Sequence, residues 1–280
     1  MVWKGNKMSL KIITDSTCDL TPEEANRLGI AMISIKLKFG DKVYTDKVDI
    51  TNEEFYRLLA QSEEIPTTTL INPQEFLDEF EKYPDDDIIV MPIAEGLSGT
   101  YNSALLAKDM SGRSNIYVLE TGSTCIGLGL LVKQAAAMKE SGLSAEEIYD
   151  KLQSLVKRLR VVAVVDTLKY LVKNGRLSGF SGTIGTILNI KPIITVKDGE
   201  VNSIAKCRGL SEAYKKINEI ITECYPMDRE QSYIFAHGCK LDALADFKKV
   251  VNLDGENYVL GSVVGCHAGP GTIGIAYFEK

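Results

Sequence analysis

Metal and redox chemistry have little to work with in this sequence. It carries two histidines, His237 and His267, and none of its six cysteines (Cys18, Cys125, Cys207, Cys224, Cys239, Cys266) stands in a Cys-x-x-Cys pair. The spacing of a zinc site is therefore absent. A chain of 280 residues can bury a core without cross-links, so scattered thiols are expected to stay reduced. No apolar run approaches the roughly 20 residues of a membrane span. The opening MVWKGNK lacks the apolar core of a signal peptide and reads as a loose extension before Met8. A net charge of -6 offers no basic surface to a nucleic acid. No glycine run ends in Gly-Lys-Ser/Thr, which excludes a P-loop. Gly127-Leu128-Gly129 lacks the third glycine of a dinucleotide fingerprint and lies inside a helical pattern. These absences predict a cytoplasmic protein with no integral membrane segment, metal, cofactor or nucleic-acid partner.

What is present centres on residues 88–110, IIVMPIAEGLSGTYNSALLAKDM. Residues 88–93 have the apolar, β-branched pattern of a strand buried on both faces, closing near Pro92. Residues 94–100 form a glycine-rich turn. Leu105, Leu106 and Met110 then recur at helical spacing, with Ala104 and Ala107 keeping the turns slim. A strand, a Gly-rich turn and a helix N-terminus aim backbone N–H groups at one point, attractive to a phosphate or a carboxylate. Ser98 and Thr100 can each cap that helix or bind a ligand oxygen.

Around this stretch the chain alternates strands and helices. Residues 10–14 read as a strand ending in the polar Asp15-Ser16-Thr17-Cys18-Asp19, and Thr21-Pro22-Glu23-Glu24 opens a helix. Residues 31–39 alternate as a single strand, returned by 42–44 across Gly40-Asp41. Thr67-Thr68-Thr69, between Pro66 and Pro73, is extended and rich in hydroxyls. Residues 125–141 form a slim apolar helix. This pattern predicts a Rossmann-like α/β layered domain over residues 1–159. From Arg160 onward the character changes. Residues 161–165 (VVAVV) run into Asp166, residues 179–188 are spaced for a helix, and 191–196 with 201–205 make a hairpin across Asp198-Gly199. A helix over 209–224 follows, then strand, helix, strand and strand over 231–237, 241–251, 257–264 and 273–279. Residues 160–280 are thus expected to be an α+β domain with a mixed or antiparallel sheet. His267 falls in the glycine-rich Gly265–Gly274 stretch, expected as an exposed loop.

Two chemistries fit these residues. One is a hydrolase or acyl-transfer enzyme with Ser98 as nucleophile, His267 as base and Asp15 or Asp166 as orienter. Its weakness is that G-L-S-G-T is not the G-x-S-x-G elbow. The second is a small-anion-binding protein.

Five motifs in order resemble the DegV family of bacterial fatty-acid-binding proteins. They are Ile12-Ile13-Thr14-Asp15-Ser16-Thr17-Cys18-Asp19-Leu20, Pro66-Thr67-Thr68-Thr69 with Pro73-Gln74-Glu75-Phe76, and Leu97-Ser98-Gly99-Thr100-Tyr101. Asp166-Thr167-Leu168-Lys169-Tyr170-Leu171 with Gly175-Arg176-Leu177, and Gly265-x-His267-x-Gly269-Pro270-Gly271, complete the set. The resemblance implies a non-catalytic carrier that holds one long-chain fatty acid in a tunnel between two domains. It implies that Thr68, Thr69, Ser98, Gly99, Thr100 and His267 surround the carboxylate. It further implies presentation of that carboxylate to a separate ATP-dependent fatty acid kinase, which makes an acyl phosphate for phospholipid synthesis. Arg176 and Arg208 stand where the family has arginines, and are expected around the tunnel mouth beside His267, docking the kinase. The sequence departs from the family at Leu70-Ile71-Asn72, often Gln-Pro-Ser there. Helical stretches 127–138 and 184–190 are candidates for the apolar lining.

Overall fold

The computed structural model describes residues 9–178 and 189–280; the helix expected over 179–188 lies outside them. The chain begins with β1 (Leu10–Asp15), a 3-10 turn at Ser16–Cys18, and α1 (Pro22–Arg27), whose Thr21 cap accepts the Glu24 N–H at 3.2 Å. β2 (Ile30–Ile33), β3 (Lys36–Phe39) and β4 (Lys42–Thr45) follow. The single strand expected over 31–39 is therefore two strands. Side chain and backbone fix the bend between them: Ile35 N–H donates to Ser16 Oγ at 3.1 Å, and the Ile35 carbonyl accepts Asp46 N–H at 2.9 Å. α2 (Asn52–Gln61), β5 (Thr67–Thr68), α3 (Pro73–Phe80), β6 (Asp87–Met91), α4 (Thr100–Ser111) and β7 (Ile116–Val118) come next. α3 starts at a full capping box, Asn72 with Glu75.

β2-β1-β6-β7 form a parallel sheet in that order, while β4-β3-β5 form a small antiparallel one. In the parallel sheet the chain runs to one side of β1 and then returns to the other. The loops after β1 and β6 therefore part at a switch point, where such sheets bind ligands. One face of this sheet packs on α3 and α4 through Ile13, Ile88, Val90, Phe76, Phe80, Ala104 and Ala107. The face of α4 that is buried is its slim one, Thr100, Ser103, Ala104 and Ala107. The expected apolar residues Leu106 and Met110 are 50% and 58% exposed. Close approach of α4 to the sheet selects small residues over large ones.

Between the two large sheets lies α5 (Cys125–Glu140), apolar nearly all round and buried from Cys125 to Val132, as such a helix must be. At Gly129 a Cβ would sit 2.4 Å from the Cys18 carbonyl oxygen, so only glycine lets α5 lie flush on the turn after β1. α6 (Ala145–Arg158) follows from a Ser144–Glu147 capping box. β8 (Leu159–Val164), α7 (Lys169–Lys173), β9 (Ile190–Lys197), β10 (Glu200–Arg208) and α8 (Leu210–Glu219) come next, the last running into a π turn at Ile220–Cys224. β11 (Ile234–His237), α9 (Leu241–Val251), β12 (Asn257–Val259), α10 (Ser262–Ala268) and β13 (Ile273–Phe278) complete the chain.

The strand expected over 257–264 stops at Val259, and the chain turns into α10. Two buried carboxylates fix that turn: Asp19 accepts the Gly261 N–H at 2.9 Å, and Asp46 accepts the Ser262 hydroxyl. The β-branched Val263 and Val264 disguised a helix whose start is set by residues more than 200 positions away.

β10-β9-β8-β13-β11-β12 form a mixed sheet, antiparallel except between β11 and β12. Its strands alternate faces. Val162, Val164, Ile193, Ile273 and Ile275 pack on α8 and α9, while Val161, Ala163, Ile194, Val196 and Ala276 face α5. The fold class is thus the expected α/β with parallel and mixed sheets. The core between the sheets is continuous, joining Ile12, Ile89 and Met91 to Val161 and Val196 through α5.

Candidate functional site

A cavity of about 230 Å³ opens in this middle layer. Its polar wall comes from loops and helix ends. Thr68 and Thr69 lie on and after β5, Ser98 and Gly99 between β6 and α4, Arg176 after α7, and His267 in the last turn of α10. His267 is thus on a helix, not in the exposed loop expected. Its Nε2 lies 3.1 Å from Thr68 Oγ1. Burial pulls its pKa down to about 4, with the nearby Arg176 guanidinium acting in the same direction, so the ring is neutral at physiological pH.

Ser98 is set by a relay. Ile71 N–H donates to Thr100 Oγ1 at 3.3 Å, and the Thr100 and Ser98 hydroxyls are 2.9 Å apart. With Thr100 donating to Ser98 Oγ, the Ser98 hydroxyl hydrogen is free to face the cavity. Thr100 itself is fully buried and absent from the lining, and its contact with the cavity runs through Ser98. The divergent Leu70-Ile71-Asn72 segment is accommodated here: Leu70 lines the cavity, Ile71 feeds Thr100, and Asn72 caps α3. Thr69 lines the exposed edge, with its hydroxyl 3.4 Å from the Lys36 carbonyl.

Arg176 is an exposed residue of the cavity lining, beside His267 as expected. Its Nε donates to the Leu97 carbonyl and its Nη1 to the Asn174 carbonyl, both at 2.8 Å, which holds the Ser98 loop from outside. Arg208 does not line the cavity. It is exposed at the end of β10, with its N–H on the Glu212 carboxylate at 2.9 Å. Two distant motifs meet because Gly271, at φ +80°, packs where a Cβ would lie 2.0 Å from Asp166. Only glycine permits both the backbone angle and the approach.

The groups of the serine-nucleophile reading are not joined to one another. Ser98 pairs with Thr100, and His267 with Thr68. Asp15 spends both oxygens on Thr17 and the Ile93 N–H, at 2.6–2.9 Å, and Asp166 pairs with Lys191 at 2.6 Å. Among the described residues no cluster of three or more His, Cys, Asp or Glu could hold a metal ion.

The apolar walls were missed by sequence reasoning. They come from the faces of three strands, Val161 and Ala163 on β8, Ile194 and Val196 on β9, and Val201 on β10, with Val263 and Val264 on α10. Helix stretch 127–138 contributes none of the lining, and Asn189 and Ile190 are likewise outside it; residues 184–188 are not described. The signal available was the i, i+2 alternation of β8 and β9, which marks a face without saying what it faces.

Fold and site together define an α/β protein of three sheets with an amphipathic cavity between the two large ones, lined by hydroxyls and His267 and walled by aliphatic strands. The family profile described as "Uncharacterised protein, DegV family" matches residues 9–280, and the chain belongs to that family. It is 34% identical to a DegV domain-containing protein of Caldanaerobacter subterraneus over 278 residues, covering 97% of this chain and 99% of that one. A Thermus thermophilus DegV family protein, described for its fatty acid binding, superposes with a TM-score of 0.88 at 28% identity, covering 98% of this chain and 100% of that chain. A stearic acid-binding protein of Eubacterium ventriosum superposes with a TM-score of 0.84 at 25% identity, covering 97% and 98%.

Proposed function

We propose that this chain binds one long-chain fatty acid in the cavity and presents its carboxylate to a separate ATP-dependent fatty acid kinase. The observation that carries this reading is a single cavity uniting aliphatic strand faces with a cluster of neutral donors. Burying a sixteen-carbon chain at about 0.8 kcal/mol per methylene supplies on the order of 10 kcal/mol. Affinity then needs no salt bridge, and Thr68, Ser98, the Gly99 backbone and neutral His267 serve to place the head group. A carboxylate held by hydroxyls stays nucleophilic toward a phosphoryl donor. Arg176, at the cavity edge, and Arg208, on the rim of the mixed sheet, are our candidates for docking a kinase that carries ATP. This reading makes the protein a carrier, not a catalyst, places it in the bacterial cytosol, and divides its domains at 159/160. The relatives' described binding of fatty acids supports the ligand class.

The test is extraction. Protein purified from bacterial cells and denatured in organic solvent should release a fatty acid seen by mass spectrometry, and delipidated protein should take up palmitate or stearate. Absence of both would overturn the proposal. Turnover of p-nitrophenyl esters that disappears in Ser98→Ala would favour an enzyme instead.

A further inference from the structure

Among the described residues, the cavity lining contains two buried side-chain polar atoms without a hydrogen-bond partner. One is His267 Nδ1, at the head-group cluster. The other is Thr124 Oγ1. Thr124 is 6% exposed and holds the N-cap position of α5, yet its side chain makes no capping bond. The other hydroxyls of the lining are engaged: Thr68 with His267, Ser98 with Thr100, Thr69 with Lys36, and Thr272 with the Ala268 and Gly269 carbonyls. Native structures rarely leave a buried hydroxyl unpaired, because its lost hydration is not repaid.

Thr124 adjoins the aliphatic wall of the cavity. One turn along, a Cβ at Gly127 would lie 2.6 Å from Val161 Cγ2, so the start of α5 rests on the strand that walls the cavity. A plain alkyl chain passing there would leave the Thr124 hydroxyl unsatisfied. An oxygen on the chain would pair with it. The positive end of the α5 dipole points to the same place and favours an oxygen acceptor.

We propose that Thr124 and the first turn of α5 form a second polar subsite, and that the preferred ligand is a long-chain fatty acid bearing a hydroxyl or keto oxygen in mid-chain. This rests on the fatty-acid reading above and specifies it. The experiment titrates delipidated protein with stearate and with a positional series of hydroxystearates and ketostearates, using the wild type, Thr124→Val and Thr124→Ser. Thr124→Val is nearly isosteric and removes no capping bond. The expected result is one positional isomer that binds about five- to tenfold tighter than stearate to the wild type and to Thr124→Ser. Thr124→Val should lose that preference, the ratio of the two affinities falling to about one. Stearate binding as tightly as every oxygenated isomer to the wild type would overturn the subsite and leave the fatty-acid reading intact. Failure of stearate and all isomers to bind would overturn both. Should Thr124→Val fold poorly, the isomer series on the wild type and Thr124→Ser decides the matter alone.

Discussion

The two large sheets meet the cavity in different ways. The parallel sheet reaches it through loops at the carboxyl ends of its strands, bringing Ser98 and Gly99 after β6 and Thr124 after β7. The mixed sheet reaches it with strand faces, bringing Val161, Ala163, Ile194, Val196 and Val201. The difference follows from the backbone. In a strand the N–H and C=O groups are consumed by the ladder, so only side chains meet the ligand. Where the chain leaves a sheet, backbone donors and hydroxyls become available. If the chain binds a fatty acid as proposed, residues where the chain leaves its sheets would place the head group, and the strand faces of the mixed sheet would hold the alkyl chain.

That division predicts effects of very different size. Val196→Asp places a carboxylate in the aliphatic wall, where desolvation is not compensated. It should weaken palmitate binding by about a hundredfold or more, read by displacement of a fluorescent fatty acid, with circular dichroism checking the fold. Thr68→Ala and Ser98→Ala act on the head group, each costing about 1.5–3 kcal/mol if a charge-assisted bond is lost. The double variant should still bind lipid, but with a mobile carboxyl and slow phosphorylation by the kinase. Equal losses from wall and head-group variants would contradict the division.

Acid should act through His267. Its folded pKa of about 4 lies below the ordinary 6.5, so between these values the unfolded chain binds a proton the native state refuses. Stability of the ligand-free protein should be lost as pH falls through that window, and His267→Gln should flatten the loss. Asp19 has the opposite sign. Burial lifts its pKa from 3.8 to about 7, so the native state keeps a proton there and stability falls as pH rises through that range. Asp19→Asn, which retains an acceptor for the Gly261 N–H, should remove that fall. Denaturant titrations across both windows measure each difference. The smallest effect is expected at Arg208. Arg208→Ala should leave lipid binding and Tm nearly unchanged while lowering phosphorylation by the kinase, and a loss of lipid binding would place Arg208 in the pocket.

The same contrast explains what could be read from the sequence. Ser98, Thr68 and His267, all singled out in the sequence, line one cavity, though His267 does so from a helix and not from the expected loop. The helix start at Thr21 was legible from its cap. The break at residues 34–35 and the start of α10 were not. Both depend on hydrogen bonds accepted by Ser16, Asp19 and Asp46, partners set by the tertiary fold. A buried hydroxyl such as Thr100 and a cavity-lining one such as Ser98 look alike in sequence. The cavity walls were hidden because β8 is buried on both faces, and alternation cannot tell the face that lines a cavity from the face that packs on helices.

The central claim is that the carboxylate rests among Thr68, Ser98 and His267. Carbon-13 NMR of palmitate labelled at C1 tests it most directly. Bound to the wild type, the carboxyl carbon should give one sharp resonance displaced from free palmitate, and Thr68→Ala with Ser98→Ala should move or broaden it. A bound resonance identical in the wild type and the double variant would contradict the account.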